Sequence, residues 1–140
     1  MDLNYYRTLI AVADDCPVQQ AVVPTPRGNK VTVAVLQYEM LADHPHQHTQ
    51  EDVLFHSWMA RQEFAKSRSK AEVAQLRKHF FSKPQACLRA SPLPKTYGWG
   101  LLFDEQGKVA LCAMESKEYK RIVETPGPIK ILKAMRSSRA

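Results

Sequence analysis

Cysteine is scarce in this 140-residue sequence and is not arranged as a disulfide framework or a zinc motif. The three cysteines, Cys16, Cys87 and Cys112, are odd in number and far apart, and no Cys-x-x-Cys pair occurs. A secreted protein of this size more often carries an even set of cysteines. We therefore interpret the three as reduced, small apolar side chains of a cytoplasmic protein.

Long apolar runs and catalytic signatures are absent as well. The longest apolar run is a few residues, far below the ~20 needed to span a bilayer, and the first residues do not resemble a signal peptide. Gly-x-Ser-x-Gly, His-Glu-x-x-His and the glycine-rich phosphate-binding motifs do not occur. These absences predict a soluble protein without a membrane segment or a cofactor, and they leave open whether it is an enzyme.

The composition that remains is typical of one folded domain. Apolar residues make up 44% of the sequence and charged residues 24%, which are ordinary values for a globular protein. The length fits one domain and leaves little room for two. We predict a single domain over residues 1–136 and a frayed tail over 137–140.

Charge is unevenly distributed along the chain. The first 60 residues hold three basic and seven acidic residues, whereas the remainder holds seventeen basic and seven acidic ones. Such asymmetry is typical of a face that binds an anionic or protein partner, although a solvated surface explains it equally simply. Basic residues close to aromatic ones in the sequence are candidates for nucleic-acid binding. They are Arg61, Lys66, Arg68, Lys70, Arg77 and Lys78.

Local patterns in the first 85 residues predict a strand, a connection and three main helices. Residues 3–13 favour a strand, and the prolines and glycine of 17–29 favour a surface connection. Over 30–42 a strand-like alternation competes with a longer helical pattern, which we prefer. Two more helices are predicted after Thr49 and after the Ser69-x-x-Glu72 capping pattern.

The remainder of the chain predicts a hairpin between less regular segments. Residues 88–97 contain two prolines and are predicted as a structured loop. The segments 99–103 and 108–114, joined by an acidic turn that ends in Gly107, predict a β-hairpin. Ser116 is a candidate cap for a short helix, and 129–136 are predicted to form amphipathic helical turns. The expected fold is α+β, with a small antiparallel sheet that includes this hairpin and the opening strand, and about three helices on one face.

Three histidines in the segment after the first helix form a candidate metal site. In an extended segment, His44, His46 and His48 would project from one side of the backbone and gather three imidazoles for zinc or a similar metal. The alternative is a polar loop that happens to be rich in histidine. The spacing includes no recognised zinc pattern.

The most distinctive tetrapeptide is Tyr97-Gly98-Trp99-Gly100. Tyr97 and Trp99 would provide polar groups at the rim of a ligand pocket, together with a carboxylate from Asp14, Asp15 or Glu51. The alternative, which the bulk of the indole ring favours, is that Trp99 packs into the core. The tetrapeptide therefore predicts either a small enzyme or ligand-binding protein, or a structural hairpin entry.

The sequence also resembles a family of short bacterial and fungal proteins of unknown function. The resemblance rests on segments spread over nearly the whole chain: 4–8, 14–17, 37–41, 49–55, 91–95, 97–100, Asp104, 107–111 and 115–119. It implies a cytosolic, stand-alone domain and no particular activity. We therefore expect a small binding or interaction protein with a basic C-terminal half, with the Tyr97/Trp99 pocket and the histidine metal site as alternatives.

Overall fold

The computed structural model describes residues 3–28, 30–62 and 68–137, in which one mixed sheet is surrounded by helices. The elements in chain order are β1 (Thr8–Ala11), α1 (Val33–Asp43), β2 (His48–Thr49), α2 (Gln50–Ala60), α3 (Lys70–Phe81), a 3-10 helix (Leu88–Ala90), α4 (Pro92–Thr96), β3 (Trp99–Phe103), β4 (Lys108–Ala113), α5 (Lys117–Glu124) and β5 (Lys130–Lys133). The α+β class is confirmed, with five α-helices in the described ranges rather than about three. None of the helices in these ranges has the length and apolar character needed to cross a bilayer.

The five strands found among the described residues have the order β2-β4-β3-β1-β5. The predicted hairpin is confirmed as antiparallel β3 and β4, and β1 pairs antiparallel to β3. The prediction of helical turns over 129–136 is wrong, because β5 pairs parallel to β1 with Leu9 opposite Ile131. The second edge of β1 carries backbone N–H and C=O groups that need partners, and β5 supplies them. The sheet is therefore mixed rather than antiparallel.

Helices cover both faces of the sheet, which corrects the expectation of one covered face. Ile10 packs into a cluster with apolar residues of α1, α2 and α4. Leu9 packs on the other side with Cys112 and with Ile122 of α5. Successive residues of a strand point to opposite faces, so a strand buried on both sides needs a covering layer on each.

The predicted helix starts at Thr49 and Ser69 are both confirmed. Each hydroxyl accepts the backbone N–H of the third residue of its helix, and the carboxylate of that residue, Asp52 or Glu72, accepts the N–H of the cap in return. The stretch 88–97, predicted as a loop, instead contains the 3-10 helix and α4. Proline is tolerated in the first turn of a helix because that turn leaves its N–H groups unpaired.

Arg77 and the phenylalanines around it attach α3 to α2. The Arg77 guanidinium lies 3.0 Å from the Asp52 carboxylate on α2, and its central carbon is 5.5 Å from the ring centroids of both Phe55 and Phe81. Phe80 is buried, and its ring meets that of Phe55 at a centroid distance of 5.8 Å. Arg77 therefore has a structural role between the two helices.

The Tyr119 ring of α5 packs against the sheet at Gly100 of β3. A Cβ on Gly100 would lie 2.9 Å from the Tyr119 ring and 3.0 Å from the Cys112 carbonyl oxygen. The Tyr119 hydroxyl accepts a hydrogen bond of 3.0 Å from the Val12 N–H. Glycine at this position therefore lets α5 approach the sheet closely.

Replacement of Gly100 by alanine should destabilise the fold through this close approach. We expect Gly100→Ala to lower the free energy of unfolding by about 2–3 kcal/mol, because the ring and the neighbouring carbonyl must both shift. Gly127→Ala is the comparison, since its Cβ would meet nothing within 4 Å and only the left-handed backbone there opposes it, at about 1–2 kcal/mol. Urea denaturation measures both, and a loss for Gly100→Ala no larger than the roughly 0.5 kcal/mol of an ordinary surface substitution would contradict the steric explanation.

Replacement of Arg77 should weaken the fold in a pH-dependent way. Burial raises the pKa of Asp52, but the Thr49 N–H and the Arg77 guanidinium outweigh burial and hold that pKa below its usual value. A lowered folded-state pKa contributes stability above the unfolded-state pKa, and this contribution disappears as the pH falls through the folded-state value. We expect Arg77→Gln to cost about 1 kcal/mol at neutral pH and less once Asp52 is protonated.

The measurement is urea denaturation of the wild type and of Arg77→Gln from neutral to acid pH. Lys78→Gln is the matched control, since Lys78 is an exposed neighbour on the same helix. A cost of Arg77→Gln that stays constant through the titration of Asp52 would show that the ring contacts act alone.

Candidate ligand-binding cavity at the hairpin turn

Two non-glycine residues in the described ranges have a left-handed backbone, and both lie beside the turn between β3 and β4. They are Arg7, with φ 46°, and His46, with φ 57°. For an L-amino acid this conformation costs roughly 1–2 kcal/mol. It persists where the surrounding structure holds it, and residues of this kind cluster at functional sites.

Backbone hydrogen bonds on both sides hold Arg7. Its N–H donates to the Asp104 carbonyl oxygen at 3.0 Å, and its own carbonyl accepts the Lys130 N–H at 2.8 Å. Arg7 thus joins the end of β3 to the start of β5. Its guanidinium lies 3.5 Å from the Glu105 carboxylate, and both side chains are largely exposed.

His46 is held against β4 through its backbone and its ring. Its N–H donates to the Val109 carbonyl oxygen at 3.0 Å, and Nδ1 lies 3.0 Å from the Lys108 carbonyl oxygen. Since a carbonyl only accepts, Nδ1 carries a hydrogen and donates it. The same Nδ1 lies 3.5 Å from Oδ2 of Asp104.

Asp104 organises the turn with one carboxylate oxygen and faces His46 with the other. Oδ1 accepts the N–H of Gln106 at 2.9 Å and that of Lys108 at 2.8 Å, a pattern that stabilises tight turns. Gly107 completes the turn with φ 79°, where a Cβ would meet the Tyr6 ring at 3.0 Å. The turn is therefore rigid on the side that faces Arg7 and His46.

A cavity of about 290 Å³ lies between these groups. Its lining is half charged and half apolar: Arg7, His46, Asp104 and Glu105, then Leu102, Phe103, Pro128 and Ile129. The volume is at the lower end of the range for small-molecule sites, about 300–1,000 Å³. Such a cavity can hold a small molecule with a polar end and an apolar body.

The polar contacts at the cavity leave their side chains able to bind a ligand. The Arg7 guanidinium lies 3.5 Å from the Glu105 carboxylate, and His46 Nδ1 lies 3.5 Å from that of Asp104, whereas a charge-assisted hydrogen bond measures about 2.7–2.9 Å. Each pair is thus longer than the optimum. A ligand group of suitable charge can make shorter bonds to the same atoms.

The three histidines proposed as metal ligands do not form one set. The ring of His48 lies 5.8 Å from that of His44 and 6.0 Å from that of His56, whereas His46 contacts the hairpin. The extended path that would align the three side chains fails at His46, because its backbone is left-handed. Within 3–28, 30–62 and 68–137, no group of three His, Cys, Asp or Glu side chains is placed to hold a metal ion.

Burial and the neighbouring rings change the pKa of His48. Burial lowers this pKa, and His56 and His44 lower it further, while Asp52 opposes them. His48 therefore resists protonation more than a free histidine does.

Trp99 makes packing contacts with both parts of its side chain. Nε1 donates to the Val22 carbonyl oxygen at 2.8 Å, and the ring lies 5.4 Å from that of Tyr38. Tyr97 accepts the Val22 N–H through its backbone carbonyl. The predicted Tyr97/Trp99 element thus holds the loop that precedes α1, in agreement with the packing alternative.

The three carboxylates grouped with this element lie in different parts of the structure. Asp14 pairs with Lys133 at 2.9 Å, and the Asp15 carboxylate accepts the Ser137 N–H at 2.9 Å. Asp14 and Asp15 both follow β1, and their partners lie at the end of β5 and just after it. Glu51, at the start of α2, accepts a hydrogen bond of 2.7 Å from Asn4, which precedes β1. Their observed contacts are with other segments of the fold and not with Tyr97 or Trp99.

The basic candidates for nucleic-acid binding have diverse environments. Arg61, Lys70 and Lys78 are exposed, whereas Arg77 pairs with Asp52. Arg68 lies 3.2 Å from Glu72 in an exposed pair, and Lys66 lies outside the described residues.

The cysteines behave as the sequence predicted. Cys16, Cys87 and Cys112 are free thiols. Burial raises the pKa of Cys112 to about 11, and Glu118 adds to the shift. A thiol with such a pKa is a poor nucleophile at neutral pH.

Sequence reasoning missed most of the cavity. Arg7 was not singled out, and His46 was chosen as a metal ligand rather than as a neighbour of Asp104. The acidic turn Asp104–Gly107 was recognised, but as a connection. A left-handed backbone at Arg7 has no signature in the sequence, since arginine does not favour that conformation.

No curated protein and no solved structure matches the chain. The model of one family, described as "Family of unknown function (DUF6157)", matches residues 1–140. Because the match spans the whole chain, the resemblance to a family of unknown function is confirmed. The chain belongs to this family.

Proposed function

We propose that this protein is a binding module for a small molecule, and that its site is the cavity at the hairpin turn. The observation that supports the proposal is the pair of left-handed residues, Arg7 and His46, which both line the same cavity. Glycine would relieve the strain at either position. A charged and a titratable side chain occupy these positions instead, which supports a role for the side chains themselves.

The energetics of the cavity permit a ligand to replace the Arg7–Glu105 pair. Exposed ion pairs contribute about 0–1 kcal/mol each, so this pair is opened at little cost. A ligand group on the same exposed guanidinium gains about as little by itself. The apolar part of the lining therefore supplies the rest of the binding energy, through burial of the ligand body.

A second candidate function is the binding of an anionic partner, such as a nucleic acid or an acidic protein surface, by the basic residues around α3. Lys70 and Lys78 are exposed on α3, and Arg61 is exposed at the end of α2. Arg77 and Phe80 attach α3 to α2. Lys70 and Lys78 remain exposed beside that attachment.

The small-molecule proposal predicts where ligands bind. Titration of the labelled protein with a fragment library should shift the backbone amide signals of Arg7, His46, Glu105 and Ile129 in two-dimensional NMR spectra. Arg7→Asn should abolish these shifts and keep the fold, because asparagine tolerates a left-handed backbone. The matched control is Arg27→Asn, at an exposed position outside the cavity lining.

Two results would count against this location. Shifts centred on Tyr97 and the Trp99 indole would instead support the pocket that the sequence suggested there. Absence of shifts for every fragment at millimolar concentration would contradict a small-molecule site at the hairpin turn.

The second prediction tests the anionic partner. A gel mobility assay with nonspecific nucleic acid at low salt should show binding, and combined Arg61→Gln, Lys70→Gln and Lys78→Gln substitutions should weaken it. The dependence of log affinity on log salt should become shallower by about 0.9 for each phosphate that the variant no longer neutralises. Lys117→Gln with Lys120→Gln on α5 is the control. A wild-type protein that leaves the nucleic acid unshifted at low salt would remove this candidate.

A further inference from the structure

We infer that the cavity at the hairpin turn takes a small zwitterion with an apolar side chain, such as an apolar α-amino acid; this inference rests on the proposed function. The cavity presents side chains of both charge signs next to an apolar surface. A ligand that matches this lining needs a cationic group, an anionic group and an apolar body. A free amino acid carries all three on adjacent atoms.

The acidic part of the lining suits an ammonium group. Oδ1 of Asp104 is occupied by two backbone N–H groups of the turn, while Oδ2 faces the cavity neighbour His46 at 3.5 Å. Glu105 follows Asp104 in the turn, and its side chain is 78% exposed. An ammonium group has three N–H donors and no acceptor. Asp104 Oδ2 and the Glu105 carboxylate are acceptors of the kind it needs.

The basic part of the lining suits a carboxylate. Arg7 presents a planar guanidinium, which binds a carboxylate through two parallel hydrogen bonds. Its backbone is held on both sides by Asp104 and Lys130, while its side chain remains 59% exposed. The guanidinium is therefore carried by a fixed backbone and is accessible to a ligand from solvent.

The two signs of charge in the lining favour a ligand that carries both. The lining holds the Arg7 guanidinium and two carboxylates, Asp104 and Glu105. A simple carboxylate would bring an anion beside both carboxylates, and a simple amine could pair with Asp104 but would not use Arg7. A zwitterion uses both: its carboxylate pairs with Arg7, and its ammonium group lies beside the two carboxylates.

The apolar part of the lining sets the character of the ligand body. Leu102, Pro128 and Ile129 have no side-chain group to pair with a polar substituent, and the Phe103 ring is buried in the core. A hydroxyl or amide placed against them would lose its bonds to water without compensation. An aliphatic or aromatic side chain, by contrast, gains from burial.

The test compares four probes with one phenylethyl body and different charges. These are phenylalanine, the acid hydrocinnamate, the amine phenethylamine and the neutral amide hydrocinnamide. Dissociation constants come from NMR titration of the wild-type protein, followed through the amides of Arg7, Glu105 and Ile129. We expect the dissociation constant of phenylalanine to be lower than that of each of the other three probes by a factor of about ten or more, since each of them lacks at least one of the two charged groups.

A variant of Arg7 tests whether its guanidinium binds the carboxylate of the ligand. Arg7→Lys keeps the charge and loses the two-pronged geometry, so phenylalanine should bind several-fold more weakly, whereas phenethylamine should bind as before. Arg27→Lys is the same change at an exposed position outside the lining, and it should alter neither constant.

The outcomes separate the inference from the proposed function. If hydrocinnamate, phenethylamine or hydrocinnamide binds at the cavity as tightly as phenylalanine, the zwitterion inference is wrong and the small-molecule site remains. If none of the four probes and no fragment shifts the amides of the cavity, both fall. Equal weakening of phenylalanine and phenethylamine by Arg7→Lys would also overturn the inference, because it would indicate damage to the cavity rather than a weaker bond to the carboxylate.

Discussion

β1 is a strand of four residues, and both of its faces and both of its edges are occupied. Leu9 and Ile10 have no exposed surface, and they belong to the two apolar clusters on opposite sides of the sheet. β3 pairs with one edge and β5 with the other. Because every backbone group of a buried strand needs a hydrogen-bond partner, the two pairings and the two helical layers depend on one another through β1.

The position of the cavity follows from the way the chain enters this strand. Arg7 immediately precedes β1 and bonds through its backbone to both neighbours of the strand, at Asp104 and Lys130. Its left-handed conformation is therefore imposed by the sheet. Asp104 has a comparable double role, with Oδ1 in the turn and Oδ2 toward His46. Groups held by strands and a tight turn, rather than by a long loop, are well positioned for recognition.

Short-range signals in the sequence were reliable where the structure depends on neighbouring residues. The capping patterns at Thr49 and Ser69 act within one helical turn, and the acidic turn of the hairpin acts within four residues. These interactions need no information from the rest of the chain, and they predicted the helix starts and the hairpin correctly.

Long-range pairing explains the failures. Residues 129–136 have apolar spacing that fits helical turns, but their partner is β1, at the other end of the chain. Tertiary pairing overrides such weak local preferences. The same holds for the cavity, since Arg7, His46 and Asp104 are distant in sequence and meet only in the folded sheet. His46 was noticed for its neighbours in sequence, whereas its actual neighbours are on β4.

The parallel pairing of β1 with β5 also determines when the sheet can close during synthesis. β1 is synthesised before the other strands of the described ranges, and its second partner, Lys130–Lys133, is synthesised after them. Until then Leu9 and Ile10 lack one of their two neighbouring strands. An apolar strand with an unpaired edge is prone to aggregate. The sheet is consequently completed only once β5 has been translated, and β1 is exposed to aggregation until that point.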